Sequence, residues 1–187
     1  MKAAQIFDLT GKVALVTGAS SGLGERFAQV LAANGASVAL VARRKERIEA
    51  LAKKIQAAGG KAVAIVADVT DRAAMARAFD AAEKAFGTVT VLINNAGVAH
   101  STRAIELTEK EYRRVLDTNL DAVFFNAQEA AKRIIAAGKK GSIVNTASRL
   151  VPTTRRHSSS ETSMARVECA TPALLIRIVT VPNAFSA

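Results

Sequence analysis

A doubly wound, three-layer α/β domain is what this sequence predicts, and three observations carry the prediction. Five short runs, KVALVTG (12–18), SVALVA (37–42), AVAIVAD (62–68), VTVLINN (89–95) and SIVNTAS (142–148), are continuously apolar and rich in β-branched residues. Strands of that kind are buried on both faces, which requires a parallel sheet covered by helices. Between the runs lie stretches with helical spacing of apolar residues, so strand and helix alternate along the chain. The first strand also runs into a glycine-rich turn that opens a helix, the kind of connection at which such sheets bind nucleotides.

Taken in order, the first strand leads into TGASSGLGERFAQ (17–29). There Gly18, Gly22 and Gly24 permit a tight turn and a close backbone approach, so that a pyrophosphate can rest on helix N-terminal amides. In the helix that follows, Leu23, Phe27, Val30 and Leu31 share one face, and Gly35 stands where a C-terminal cap belongs. The second strand gives way to RRKERIEALAKK (43–54), where bases interleave with Glu as on a solvated helix. After the third strand, Met75, Phe79, Ala82 and Phe86 recur at spacings of three and four, and Gly87 closes that helix. Tyr112, in EKEYRRVL, sits where a further helix begins and reads as packing. His100, in the loop VAHSTRAI (98–105), reads as solvated.

Composition bounds the function. A chain of 187 residues, 50% hydrophobic, is long enough for one domain with a real core. It shows no signal peptide and no apolar run that would span a bilayer, so a soluble, cytoplasmic protein without membrane partners is expected. The single cysteine, Cys169, cannot form an internal disulfide and has no activating neighbour. Twenty-six Lys and Arg against sixteen Asp and Glu give a net charge of +10. Most of that charge lies on mixed helical faces, which argues against nucleic acid as a partner. No His/Cys/Asp cluster has metal-ligand spacing, so no metal is expected. Composition then changes at residue 149. All eleven glycines precede it, all three prolines follow it, and the last 39 residues hold ten Ser or Thr but no Lys. The chain is therefore read as a nucleotide-binding part, 1–148, and a divergent segment of the same domain, 149–187. Whether that segment is a tail, a remodelled half-domain or a disrupted reading frame stays open.

TGASSGLG (17–24), NNAG (94–97), Asn119 in VLDTNL and SIVNTAS ending at Ser148, in that order, resemble the short-chain dehydrogenase/reductase family over residues 6–148. The resemblance implies a Rossmann-like parallel sheet of seven strands, a nicotinamide cofactor, and hydride transfer between that cofactor and a small carbonyl or alcohol substrate. It also implies roles. Gly18, Ser20, Ser21, Gly22, Leu23 and Gly24 would line the pyrophosphate and ribose turn. Asp68 and Val69 would flank the adenine, and Asn95, Ala96 and Gly97 would lie near the nicotinamide ribose. Asn119 and Ser148 would be catalytic. In the family, a carboxylate at the end of the second strand favours NAD, but this chain has Ala42 followed by Arg43 and Arg44. A guanidinium binds a 2′-phosphate where a carboxylate repels it, so NADP(H) is predicted over NAD(H). The plainer alternative, that Arg43 only starts a solvated helix, stays open.

The resemblance breaks at the family's Tyr-x-x-x-Lys pair, which supplies a proton to the developing alkoxide. Tyr112 is the only tyrosine and is followed four residues on by Leu116, while the positions where the pair should fall hold Glu161 and Ala165. Glu161 is shorter than tyrosine and has no cation to tune it. Loss of a positioned general acid costs on the order of 10² to 10⁴ in rate, so impaired or absent activity is predicted. LLIRIVTVPN (174–183) resembles the family's sixth strand, expected over 174–181 beside residues 142–147, and ETSMARVECA (161–170) before it reads as a short helix at best. The seventh strand and the substrate-capping segment have no counterpart, so the C-terminal part reads as incomplete and the chain as truncated. Two functions follow: an NADP(H)-dependent reductase by descent, and a non-catalytic nucleotide-binding or interaction module. The second would pair with full-length relatives through the helix around residues 108–137, which the resemblance implies as a dimer interface, and the helix face left bare by the missing half makes a monomer less expected than a homo-oligomer. The substrate is not specified by any motif.

Overall fold

The computed structural model describes residues 7–99 and 105–146 in full, and the backbone alone of 147–148, 152–154, 167–169 and 174–181. His100, His157, Glu161, Ala165 and the side chain of Ser148 lie outside the described residues.

Five parallel strands form the sheet: β1 (Val13–Thr17), β2 (Ser37–Ala42), β3 (Lys61–Val66), β4 (Val91–Asn94) and β5 (Gly141–Ser148). Their spatial order is β3-β2-β1-β4-β5. The helices are α1 (Gly22–Ala33), α2 (Lys45–Ala57), α3 (Arg72–Phe86), α4 (Glu109–Leu116) and α5 (Ala122–Ala136), with a π-helical turn, Asp117–Asp121, joining the last two. β1 is buried along its whole length because alternate residues serve opposite cores. Val13 and Leu15 pack with Met75, Phe79 and Ile134 of α3 and α5, whereas Ala14 and Val16 pack with Ala28, Ile48 and Ile55 of α1 and α2. The continuous apolar runs are thus the two-sided strands expected of a doubly wound sheet. Chain direction through the sheet reverses between β1 and β4, which opens a crevice at their C-terminal ends.

Local signals set the helix ends. Asp71 caps α3 by accepting from the Ala74 N–H at 2.9 Å. Thr108 and Glu111 form a reciprocal capping box on α4, so its short sequence is fixed at the start by two side chains.

The last described strand departs from the parallel pattern. β8 (Leu174–Val181) lies beside β5 but antiparallel, with Leu174 opposite Ser148 and Val181 opposite Gly141. β5 ends and β8 begins at the same edge of the sheet. Antiparallel pairing needs only a return at that edge, whereas a parallel strand would need a crossover along the sheet's full length. The described sheet therefore has six strands, one of them antiparallel. Within the stretch read as a short helix, Val167–Cys169 instead forms β7, paired antiparallel with β6 (Pro152–Thr154). Val167, Thr153 and Thr154 are β-branched and suit an extended backbone.

Arg133 fastens α5 to α3. Its guanidinium donates to Asp80 Oδ1 at 2.7 Å, Glu83 Oε2 at 2.9 Å and Glu129 Oε1 at 2.7 Å, and stands 5.4 Å over the Phe79 ring. Burial alone would lower the pKa of this group, but the three carboxylates hold it above its ordinary value. Arg72 adds a second contact between the same helices, with its guanidinium 3.3 Å from the Phe125 ring centroid. Replacing Arg133 by Ala strands three partly screened carboxylates, and chemical denaturation should show a loss of about 1–2 kcal/mol. An unchanged unfolding midpoint would mean that the cluster does not hold the helices together.

Candidate functional site

The site is assembled where β1 and β4 end. Thr17, the last residue of β1, is buried, and its Oγ1 accepts from the N–H groups of Asn95 at 3.0 Å and Ala96 at 3.1 Å while donating to the Ile93 carbonyl at 3.3 Å. In return the Asn95 amide donates to the Thr17 carbonyl at 3.2 Å. The glycine turn after β1 is thereby locked onto the NNAG segment after β4.

Glycine is required at that junction for reasons that differ by position. Gly18 has φ +67°, and a Cβ there would lie 2.8 Å from Ala96 Cα. A Cβ on Gly24 would strike the Gly18 carbonyl oxygen and lie 2.5 Å from Asn95 Nδ2. Gly22 has φ +60° but open space around it. Its glycine serves the left-handed conformation alone.

Above this junction lies a cleft of about 800 Å³, within the range of small-molecule and cofactor sites. Of the residues singled out from the sequence, the near side gathers Gly18, Ser20, Ser21 and Leu23 from the turn, Arg43 and Arg44 after β2, Asp68 and Val69 after β3, and Asn95, Ala96 and Gly97 after β4. Gly22 and Gly24 shape the turn without lining the cleft. Ser148 ends β5, and its backbone alone is described.

The two arginines are held differently. Arg44 reaches back over the turn and donates to Ser20 Oγ from Nε at 3.1 Å and NH2 at 2.8 Å, and to Ser21 Oγ at 2.7 Å. Arg43 pairs at 3.5 Å with Asp68. Asp68 also accepts from the Thr70 N–H at 3.0 Å and hydroxyl at 2.8 Å. Partial burial pushes the Asp68 pKa up, but the Thr70 bonds and Arg43 outweigh it and leave the carboxyl below its ordinary 3.8. Its stabilising contribution is therefore present above that ordinary value and is lost as pH falls through the lowered one.

Asn119 sits in the π-helical turn between α4 and α5, a type of irregularity frequent at functional sites. Its side chain accepts from the Val98 N–H at 2.9 Å and donates to the Val98 carbonyl at 2.8 Å. Asn119 thus clamps the backbone just beyond NNAG instead of lining the cleft. Asn94, 2% exposed, ties the layers together from within: Nδ2 donates to Val123 O at 3.1 Å and Asn145 Oδ1 at 3.0 Å, and its carbonyl accepts from Thr146 Oγ1 at 3.0 Å.

Sequence reasoning missed the buried locking role of Thr17 and the whole opposite wall of the cleft. That wall is α4 and the π turn, through Lys110, Arg113, Arg114, Asp117 and Thr118. Their spacings of three and four along one helix face were the available signal. Among the described residues, no group of three His, Cys, Asp or Glu could hold a metal ion, and no helix is long and apolar enough to cross a membrane.

Comparison with known proteins agrees with the fold. The family model described as short chain dehydrogenase matches residues 12–159. L-2,3-butanediol dehydrogenase of Corynebacterium glutamicum is 38% identical over 139 residues, 73% of this chain and 54% of that protein. The NADP-dependent (R)-specific alcohol dehydrogenase of Lentilactobacillus kefiri is 39% identical over 142 residues, 75% of this chain and 55% of that protein. A short-chain type dehydrogenase/reductase from Mycobacterium marinum superposes with a TM-score of 0.74 at 36% identity, covering 76% of this chain and 58% of the other. The chain thus spans little more than half the length of these relatives.

The glycine geometry yields an ordering that conformational strain alone would not give. Gly24→Ala, where the new methyl meets backbone, should destabilise by about 2–3 kcal/mol, and Gly22→Ala by about 1 kcal/mol. Denaturant titration of both variants checks this, and a larger loss at Gly22 would contradict the interlock.

Proposed function

The chain belongs to the short-chain dehydrogenase family, and on that premise we propose that its cleft binds NADP(H) for hydride transfer between the cofactor and a small carbonyl or alcohol substrate. The observation that carries the reading is Arg44, held by Ser20 and Ser21 at the cleft's edge, two residues beyond Ala42, which stands where an NAD-preferring site would keep a carboxylate. A guanidinium already oriented by two hydroxyls loses little entropy on meeting a phosphate, and the hydroxyls can add hydrogen bonds to it. The match to an NADP-dependent alcohol dehydrogenase points the same way.

The residues present fit such a cofactor. The turn residues Gly18, Ser20 and Ser21 that line the cleft, with the first amides of α1 beside them, suit a pyrophosphate. Asp68, anchored by Thr70, offers an acceptor beside the adenine, while Arg43 walls that side. When bound, the cofactor supplies the hydride donor or acceptor. Thr17 fixes Asn95 and Ala96, and Asn119 fixes Val98, so the segment approaching the reactive end is set from both sides. Ser148, at the end of β5, would hydrogen-bond the substrate oxygen, as the family resemblance implies.

A second reading, a nucleotide-binding module without catalysis, is favoured by Glu161 and Ala165 at the positions where the family's tyrosine and lysine fall. Both readings need the same first experiment, thermal unfolding with and without cofactor. Saturating NADPH, at about 100 times its dissociation constant, should stabilise by roughly 2.7 kcal/mol and raise Tm by about 5–10 °C. Arg44→Ala should remove most of the NADPH shift and leave the NADH shift unchanged. No shift with either dinucleotide would dispose of the cofactor reading. Given binding, NADPH oxidation across a panel of ketones separates the two functions, and a rate typical of the family would contradict the need for the missing acid.

A further inference from the structure

The far wall of the cleft has a chemistry that neither the glycine turn nor the end of β2 explains. α4 carries five charged residues, Glu109, Lys110, Glu111, Arg113 and Arg114, and they are sorted: the three bases line the cleft and the two acids do not. The acids are engaged elsewhere. Glu111 closes the capping box with Thr108, and Glu109 pairs with Arg113 at 3.8 Å. Lys110 and Arg114 form no ion pair among the described residues. A merely solvated helix face mixes its signs, as α2 does with Lys45 and Glu49. Together with Arg43 and Arg44, five cationic side chains line the cleft against Asp68 and Asp117, and with Glu109 counted against its partner Arg113 a formal surplus of two positive charges is left.

These α4 bases are exposed, so each is weak as a bound contact. A concave site lined by one sign of charge nevertheless focuses its field into the opening and raises the arrival rate of an oppositely charged ligand. We propose that the basic face of α4, through Lys110 and Arg114, guides a phosphate-bearing dinucleotide into the cleft and sets its rate of capture. The inference rests on the dinucleotide reading above and adds to it a role exerted at a distance, before any bound contact forms. The attraction reaches about one Debye length, roughly 10 Å at 0.1 M salt, so it weakens as salt rises. A ligand with an additional phosphomonoester, about −1.5 to −2 in charge, feels it more strongly.

Stopped-flow association of NADPH and of NADH with the whole chain, followed by dinucleotide fluorescence at low and high salt, tests the role. Lys110→Gln/Arg114→Gln should lower kon for NADPH about three- to tenfold at low salt, change koff by less than about twofold, and match wild type at high salt. NADH should show a smaller loss, and the charge-preserving Lys110→Arg/Arg114→Lys should restore capture. A kon unaltered at low salt, or a loss confined to koff, overturns the inference while leaving cofactor binding intact. An unchanged melting temperature of the double variant establishes that the change is electrostatic, and a collapsed one hands the decision to the salt dependence of wild-type kon, which must fall steeply. Failure of wild type to bind either dinucleotide removes the cofactor reading and the inference with it.

Discussion

The close contact between the glycine turn after β1 and the NNAG segment after β4 is the constraint that sets the form of the cleft. Two backbones meet there at distances that no side chain on Gly18 or Gly24 would allow, and the buried Thr17 hydroxyl uses all its hydrogen-bonding capacity to hold them. This contact converts a topological crevice into a shaped cleft. Without it, the segments that leave β1 and β4 beyond the Val16–Ile93 strand pair would not be tied to each other, and the groups carried by Ser20, Asn95 and Ala96 would have no common frame.

Around that frame, electrostatics divides the labour. Arg44 is drawn onto the turn by Ser20 and Ser21, while Arg43 is drawn sideways to Asp68, so neighbouring residues of the same type face different chemistry. The opposite wall is positive because the capping box and an i,i+4 pair occupy the acids of α4. Elsewhere charge works structurally, as in the Arg133 cluster that joins α5 to α3 through Asp80 and Glu83.

Much of this was legible in the sequence. Continuous β-branched runs announced two-sided strands, and TGASSGLG and NNAG marked the turn and the segment that it touches. Less legible was anything set by long-range geometry. No local pattern distinguishes Arg43 from Arg44, because their partners lie 25 and 24 residues away along the chain. The α4 wall joins the cleft through tertiary contact alone, and the π turn that follows it is fastened to the segment after β4 by Asn119 and Val98. The orientation of residues 174–181 was equally hidden, since an apolar run shows strand character but not direction. Its antiparallel course follows from where the chain re-enters the sheet.

On the function proposed above, the interlocked turn and NNAG segment would act as one dinucleotide cradle. Amide hydrogen exchange of the whole chain with and without NADPH addresses it residue by residue. Added protection should be concentrated in residues 18–24, 43–44, 68–70 and 95–98, with the cores under α2 and α3 unchanged. Protection that appears elsewhere, or a response in the glycine turn without one in residues 95–98, would contradict it.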